Sequence, residues 1–186
     1  MPLIPDFEIG LWNAWIFMLY NFLPMPFLML IHRAAEPVPP SDSEKKLHPF
    51  AWIVWILAFI YSVFLPLKLG TIWFYIGLPI ALVGLIPFTM VIVTFATTPV
   101  DTGPLTTGLY RYSRHPMYVT QALMFIGVSI ACASWLFLLF TVVYTILPIM
   151  SVGYEEQSCL NKYGDAYREY MDRTPRWLGM PKSGRK

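Results

Sequence analysis

PMYVTQALMFIGVSIACASWLFLLFTVVYTILPIMS, residues 116–151, contains no Asp, Glu, Lys or Arg. One membrane span needs about 20 apolar residues, so this run is too long for one. The small Cys132-Ala133-Ser134 interrupts it near the middle. The stretch predicts two apolar helices, 116–131 and 135–151, joined by almost nothing as a tight helical hairpin. Each half is short for a bilayer, so tilt or local thinning is required.

Working outward, three more apolar runs precede the hairpin, at about 10–31, 49–67 and 72–95. The first follows an acidic start, Asp6 and Glu8, with no basic residue. A cleaved signal peptide would need a basic start and a small-residue cleavage site, so the run reads as a span kinked at Pro24 and Pro26. The polar, Pro-rich stretch from His32 to His48 reads as a loop, and Lys68–Gly70 as a short turn. The third run carries Gly77, Pro79, Gly84 and Pro87. Thr97–Arg114 is too polar to face lipid, and the chain is polar again after Gly153. No internal repeat is visible. The predicted fold is all-α: a single membrane domain over 1–186, a helical bundle of about five transmembrane helices with a cytoplasmic C-terminal helical segment.

Composition agrees. Of 186 residues, 56% are hydrophobic and 13% charged, against roughly 45–50% and about 25% in soluble domains. This excludes a soluble globular enzyme, a disordered chain and a nucleic-acid binder. Five spans use roughly 100 residues and leave no room for a separate soluble domain. Twelve of the 13 Lys and Arg fall on one side of this map: Arg33, Lys45, Lys46, Arg111, Arg114 and seven residues after position 160. Only Lys68 lies on the other. The positive-inside rule then puts the N-terminus outside and the C-terminus in the cytoplasm, as an odd number of spans requires. A bacterial inner membrane is the expected setting. Cys132 and Cys159 fall on opposite sides, so no disulfide is expected.

Dense polar clusters at a membrane boundary are functional hypotheses by default. Two stand at the cytoplasmic side. The first is GLYRYSRHPMY, residues 108–118. Pro116 suits the first position of a helix. Arg114, His115 and the free amides of that first turn would form a cationic cup for a carboxylate or phosphate. The second cluster is YEEQSCLNKYGDAYREY, residues 154–170, followed by Pro175-Arg176-Trp177. Glu155 and Glu156 point about 100° apart on a helix, so one can face inward and the other solvent. Gly164 reads as a helix stop and Asp165 as the cap of a further helix. Glu156, Leu160, Tyr163, Tyr167 and Tyr170 would share one face of a continuous helix. The same residues would also serve as a positive-inside rim, an interfacial aromatic belt and an amphipathic tail.

A cationic cup, carboxylates and an aromatic face suit a zwitterionic ligand with an aromatic base, and S-adenosylmethionine has those groups. His115 has no second His or Cys at ligand spacing, so no metal is expected. No Gly-x-Gly-x-x-Gly is present, so a cofactor must bind at the membrane helices and their cytoplasmic ends.

The ordered set RHPxY, apolar hairpin, EE, YGxxYxxY and PR resembles the isoprenylcysteine carboxyl methyltransferase family and its bacterial membrane relatives, over about residues 97–178. The resemblance implies an S-adenosylmethionine pocket, releasing S-adenosylhomocysteine, built from 97–118 and 154–178. Arg114, His115, Pro116, Tyr118, Glu155, Glu156, Tyr167, Tyr170 and Arg176 would line it. Arg114, Glu155 and Glu156 would be catalytic, with a glutamate as base for an acceptor that carries a proton. The acceptor would be lipophilic and embedded among membrane lipids, entering from the bilayer. A prenylcysteine-like carboxylate, a phospholipid headgroup, an isoprenoid and a small thiol all fit. CLNKYGDAY also resembles membrane sterol reductases, which use a nicotinamide cofactor. That leaves a reductase, or a non-catalytic membrane protein, as the alternatives.

Overall fold

The computed structural model describes residues 7–24, 42–98 and 103–182, with the backbone alone from 42 to 48. Among these residues are six α-helices and no strand: α1 (Trp15–Phe22), α2 (Asp42–Val63), α3 (Ile72–Thr97), α4 (Pro116–Ala131), α5 (Trp135–Tyr163) and α6 (Asp165–Arg173). A single 3-10 turn, Gly108–Arg111, lies between α3 and α4. Helices α3 and α5 are long and apolar enough to cross a membrane, whereas Pro49–Val63 of α2 and all of α4 are shorter apolar helices. On α3 and α5, Val83, Ile86, Leu139 and Met150 are each more than half exposed. Exposed apolar faces of this extent are avoided by soluble monomers.

Helices α3 and α4 touch backbone to backbone, because small residues face each other there. A Cβ on Gly84 would stand 2.2 Å from the Met124 nitrogen, and one on Gly127 would stand 2.1 Å from the Ala81 nitrogen. Such contacts replace the hydrophobic effect as the source of helix association in lipid. A different face of α4 meets α5, through Phe125 against Phe137 and a 3.2 Å Ser129–Thr141 hydroxyl pair. Cys132–Ser134 links the two helices. Ser134 caps α5 by accepting from the Phe137 amide at 3.1 Å.

Several boundaries differ from the sequence reading. The first helix begins at Trp15, not near Gly10. Asn13 is buried and donates to the carbonyls of Glu8 and Val63 at 2.6 and 2.7 Å, which holds residues before Trp15 in a non-helical link. That link pairs with the segment after α2 through Ala14 N to Leu65 O and Leu67 N to Trp12 O, both 3.0 Å. So residues 65–67, expected inside span two, are extended rather than helical. Helix α1 ends before Pro24, as the restriction on residues preceding proline favours. The expected kink at Pro26, the end of the 10–31 run and most of the 32–48 loop lie outside the described residues. Helix α2 begins already at Asp42, so the last part of that expected loop is helical. Helix α5 continues without a break past Ser151 to Tyr163, because YEEQSCLNKY is rich in helix formers.

Candidate functional site

The continuation of α5 carries Glu155 and Glu156 away from the apolar bundle. Glu156 is the inward one, 3% exposed, while the Glu155 side chain is 37% exposed. Gly164, at φ 57°, stops α5 and also precedes α6. Asp165 is therefore the first residue of α6 rather than its cap. The break at Gly164 splits the expected aromatic face: Tyr163 ends α5, while Tyr167 and Tyr170 are buried on α6 with their rings edge to face at 5.7 Å.

The segment before α4 is fixed by the chain that follows α6. Arg114 N donates to Pro175 O at 3.0 Å, His115 N to Arg176 O at 3.3 Å, and Gly179 N to Tyr112 O at 3.0 Å. The buried Ser113 hydroxyl donates to Arg176 O at 3.3 Å and accepts from His115 N at 3.1 Å. The Tyr170 hydroxyl donates to Tyr110 O at 2.7 Å. Pro116 occupies the first helical turn of α4, and His115 does not cap that helix with its side chain. Its imidazole turns toward α5 instead.

Both sequence clusters thereby meet on one carboxylate. Glu156 Oε1 takes His115 Nε2 at 3.2 Å, Arg114 Nη2 at 2.9 Å and Arg176 Nε at 3.2 Å, and its Oε2 takes Arg176 Nη2 at 2.5 Å. Burial raises the Glu156 carboxyl, but the His115 and Arg176 hydrogen bonds and the two guanidinium charges outweigh it and bring it down to about 2. Its hydrogen bond to Glu156 raises Arg176 in turn. On the other edge of the imidazole, His115 Nδ1 stands 3.6 Å from Glu155 Oε2, which accepts from the Tyr118 hydroxyl at 3.0 Å. The His115 and Tyr118 rings lie parallel at 5.8 Å, and the Trp177 ring is 6.1 Å from His115. Burial keeps the phenols of Tyr110, Tyr167 and Tyr170 well above their ordinary range, hence neutral.

All nine residues singled out for a cofactor stand in or beside this cluster. Arg114 and His115 do not form an open cup: both are turned onto Glu156, and Arg114 Nη1 also donates to Met171 O at 2.9 Å. The sequence reading did not assign Ser113, Trp177 or the Met171 carbonyl to the site. Ser113 and Trp177 fall inside the quoted motifs, but nothing in a backbone carbonyl's sequence marks it. One buried donor stays unpaired. Arg114 Nε is buried and has no hydrogen-bond partner among the described residues. A buried guanidinium nitrogen left unpaired costs free energy unless an acceptor reaches it. With the half-exposed Glu155 and the rings of Tyr118 and Trp177 nearby, the donor set suits a ligand that carries a carboxylate, a cation and a flat base.

Comparison with known proteins gives the family of the chain. Residues 69–166 match the phospholipid methyltransferase family, and the chain belongs to that family. The matched span covers Arg114, His115, Tyr118, Glu155 and Glu156 and ends before Tyr167. The chain is 35% identical over 78 residues to methanethiol S-methyltransferase 1 of Bradyrhizobium diazoefficiens, covering 42% of this chain and 26% of that protein. It is 39% identical over 83 residues to the Delta(14)-sterol reductase TM7SF2 of Mus musculus, covering 42% of this chain and 20% of that protein. The matches thus span about a quarter and a fifth of these relatives' lengths.

Proposed function

We propose that this protein is an S-adenosylmethionine-dependent membrane methyltransferase acting on a lipophilic acceptor at the cytoplasmic face of the membrane, with five spans and an external N-terminus. The observation that carries the reading is the joining of both polar clusters on Glu156 at the end of apolar helices, in a chain of the phospholipid methyltransferase family. When bound, S-adenosylmethionine supplies a methyl group on a sulfonium. Arg114 would face its carboxylate and Glu155 its cationic side. Tyr118 and Trp177 offer ring faces to the base and the sulfonium, and Tyr167, Tyr170 and Arg176 close the site from below.

The two carboxylates divide the work. Glu156 is saturated with donors and stays ionised far below neutral pH, so it holds the cations in place and is a poor base. Glu155, the exposed one beside Tyr118, takes the proton of a thiol or amine acceptor; a carboxylate acceptor such as a prenylcysteine needs none. Positioning then supplies most of the rate.

The 39% identity to a sterol reductase over 83 residues favours a second reading, a nicotinamide-dependent membrane reductase. Equilibrium binding of S-adenosylhomocysteine to the detergent-purified protein, with NADPH as competitor, separates the two. Saturable binding that NADPH leaves untouched is expected. Displacement by NADPH moves the site to the reductase reading, and absence of any nucleotide binding leaves a non-catalytic role for the clusters.

A further inference from the structure

The strap that follows α6, residues 174–182, is pinned along its length. Lys182 N donates to Arg173 O at 2.8 Å, Gly179 N donates to Tyr112 O at 3.0 Å, and the Pro175 and Arg176 carbonyls accept from the Arg114 and His115 amides. A loose tail would be free to tuck its apolar side chains away from water. This one holds Leu178 and Met180 outward, 74% and 84% exposed. Past Tyr154 they are the exposed large apolar residues among those described. Trp177, their neighbour, instead reaches the His115 ring at 6.1 Å. The strap therefore carries Arg176 and Trp177 onto the site and leaves Leu178 and Met180 bare.

The partners of the strap set its height along the bundle. Tyr112, which accepts from Gly179, lies shortly before Pro116, the first residue of α4. Gly108, in the same segment, sits against Thr94 near the end of α3, where an added Cβ would stand 3.1 Å from the Thr94 hydroxyl oxygen. Helix α3 has 26 residues, a length of about 39 Å against a hydrocarbon core of about 30 Å. The end of α3 and the start of α4 thus mark the bilayer edge, and Leu178 and Met180 flank the residue pinned there.

Charge at this edge is positive. Arg111 and Lys182 are exposed and stand in no ion pair among the described residues. On α6, Arg168 pairs with Asp165 and Arg173 with Glu169, which leaves the exposed Asp172 against them. The sequence beyond Lys182 adds Arg185 and Lys186 and no acid. Bare apolar side chains at headgroup level with cations beside them fit an anionic lipid surface.

We propose that the strap docks on the anionic surface of its own bilayer. Leu178 and Met180 enter among the headgroups, Arg111 and Lys182 meet lipid phosphates, and the contact keeps Arg176 and Trp177 seated beside Glu156 and His115. Each basic side chain near such a surface contributes about fivefold in affinity. The docking goes beyond the methyltransferase reading and does not depend on it. The Arg114, His115 and Gly179 amides, which donate across to or from the strap, report its seating through hydrogen exchange. Exchange is followed in the full chain in nanodiscs of phosphatidylcholine, alone or with phosphatidylglycerol at about three to one. It should be at least about fivefold slower in the anionic discs, and raised salt should erase the difference. Leu178→Ser with Met180→Ser should lose most of the protection in both discs. Arg111→Gln with Lys182→Gln should keep the neutral-disc rates and lose the anionic gain, and this pair decides if the serine variant does not fold. Equal exchange in the two discs, or variants protected like wild type, would overturn the docking. Docking without S-adenosylhomocysteine binding in any disc keeps the proposal and removes the methyltransferase reading.

Discussion

The Nε2 of His115 stands 3.2 Å from Oε1 of Glu156, a residue 41 positions later in the chain. That contact and the Arg114 bridge join the start of α4 to the polar end of α5, and the Arg176 bridge adds the segment after α6. They do so at a point where α4 and α5 leave the apolar bundle and could otherwise splay apart. Substituting Glu156 by Gln keeps the shape but leaves Arg114 facing no counter-charge. Removing one partner of a buried ion pair costs roughly 3–5 kcal/mol. Glu156→Gln should therefore lower thermal stability in detergent by several degrees and weaken S-adenosylhomocysteine binding at least about tenfold. Unchanged binding would show that the cluster is structural and the cofactor site lies elsewhere.

The same carboxylate predicts an acid limb. The folded value of about 2 lies below the ordinary 4.5. A depressed carboxyl contributes stability that is fully present above 4.5 and is lost as pH falls through the folded value. The difference corresponds to about 3 kcal/mol, arising between the two values. Denaturation midpoints measured from pH 6 down to pH 2 should fall more steeply in wild type than in Glu156→Gln. Parallel curves would mean that Glu156 is not ion-paired in solution.

The Tyr170 hydroxyl pins the Tyr110 carbonyl at 2.7 Å, and so ties α6 to the segment that carries Arg114. Tyr170→Phe leaves that carbonyl short of a donor and should cost about 1–3 kcal/mol. The loss should appear first as faster proteolysis within residues 165–182, with the apolar helices protected. Cleavage that begins in the bundle would contradict a local role for this bond.

Much of the site is legible in the sequence because ionic side chains are costly at a membrane edge: Arg114, His115, Glu155, Glu156 and Arg176 stand out against apolar flanks. What they do to one another is not legible. Which of the two glutamates faces inward depends on the rotational phase of α5. That phase is set far from position 156, by Phe137 and Thr141 packing on α4. The apolar runs are legible as helices, but their ends are not. The polar stretch of α5 is held helical by its own propensity, and Asn13 delays the start of α1 through a bond to Val63, 50 positions away.

The α3–α4 contact positions the site by fixing where α4 begins. Gly84 and Gly127 sit within 2.2 and 2.1 Å of opposing backbone by the measure of an added Cβ, so no side-chain motion can relieve a larger residue. Gly153, on the free side of α5, has nothing within 4 Å. Overpacking a close contact costs about 1–3 kcal/mol or more, whereas Gly to Ala in an open helical position gains about 0.5–1 kcal/mol. Gly84→Val and Gly127→Val should therefore destabilise the protein and, by shifting Pro116 and His115, weaken S-adenosylhomocysteine binding as well. Gly153→Ala should raise the unfolding midpoint and leave binding intact. Thermal unfolding and ligand binding on the same three variants check the pairing. A tolerated Gly84→Val would mean that α3 and α4 stand further apart in the membrane than their backbones do here, and that the site is not referenced to that contact.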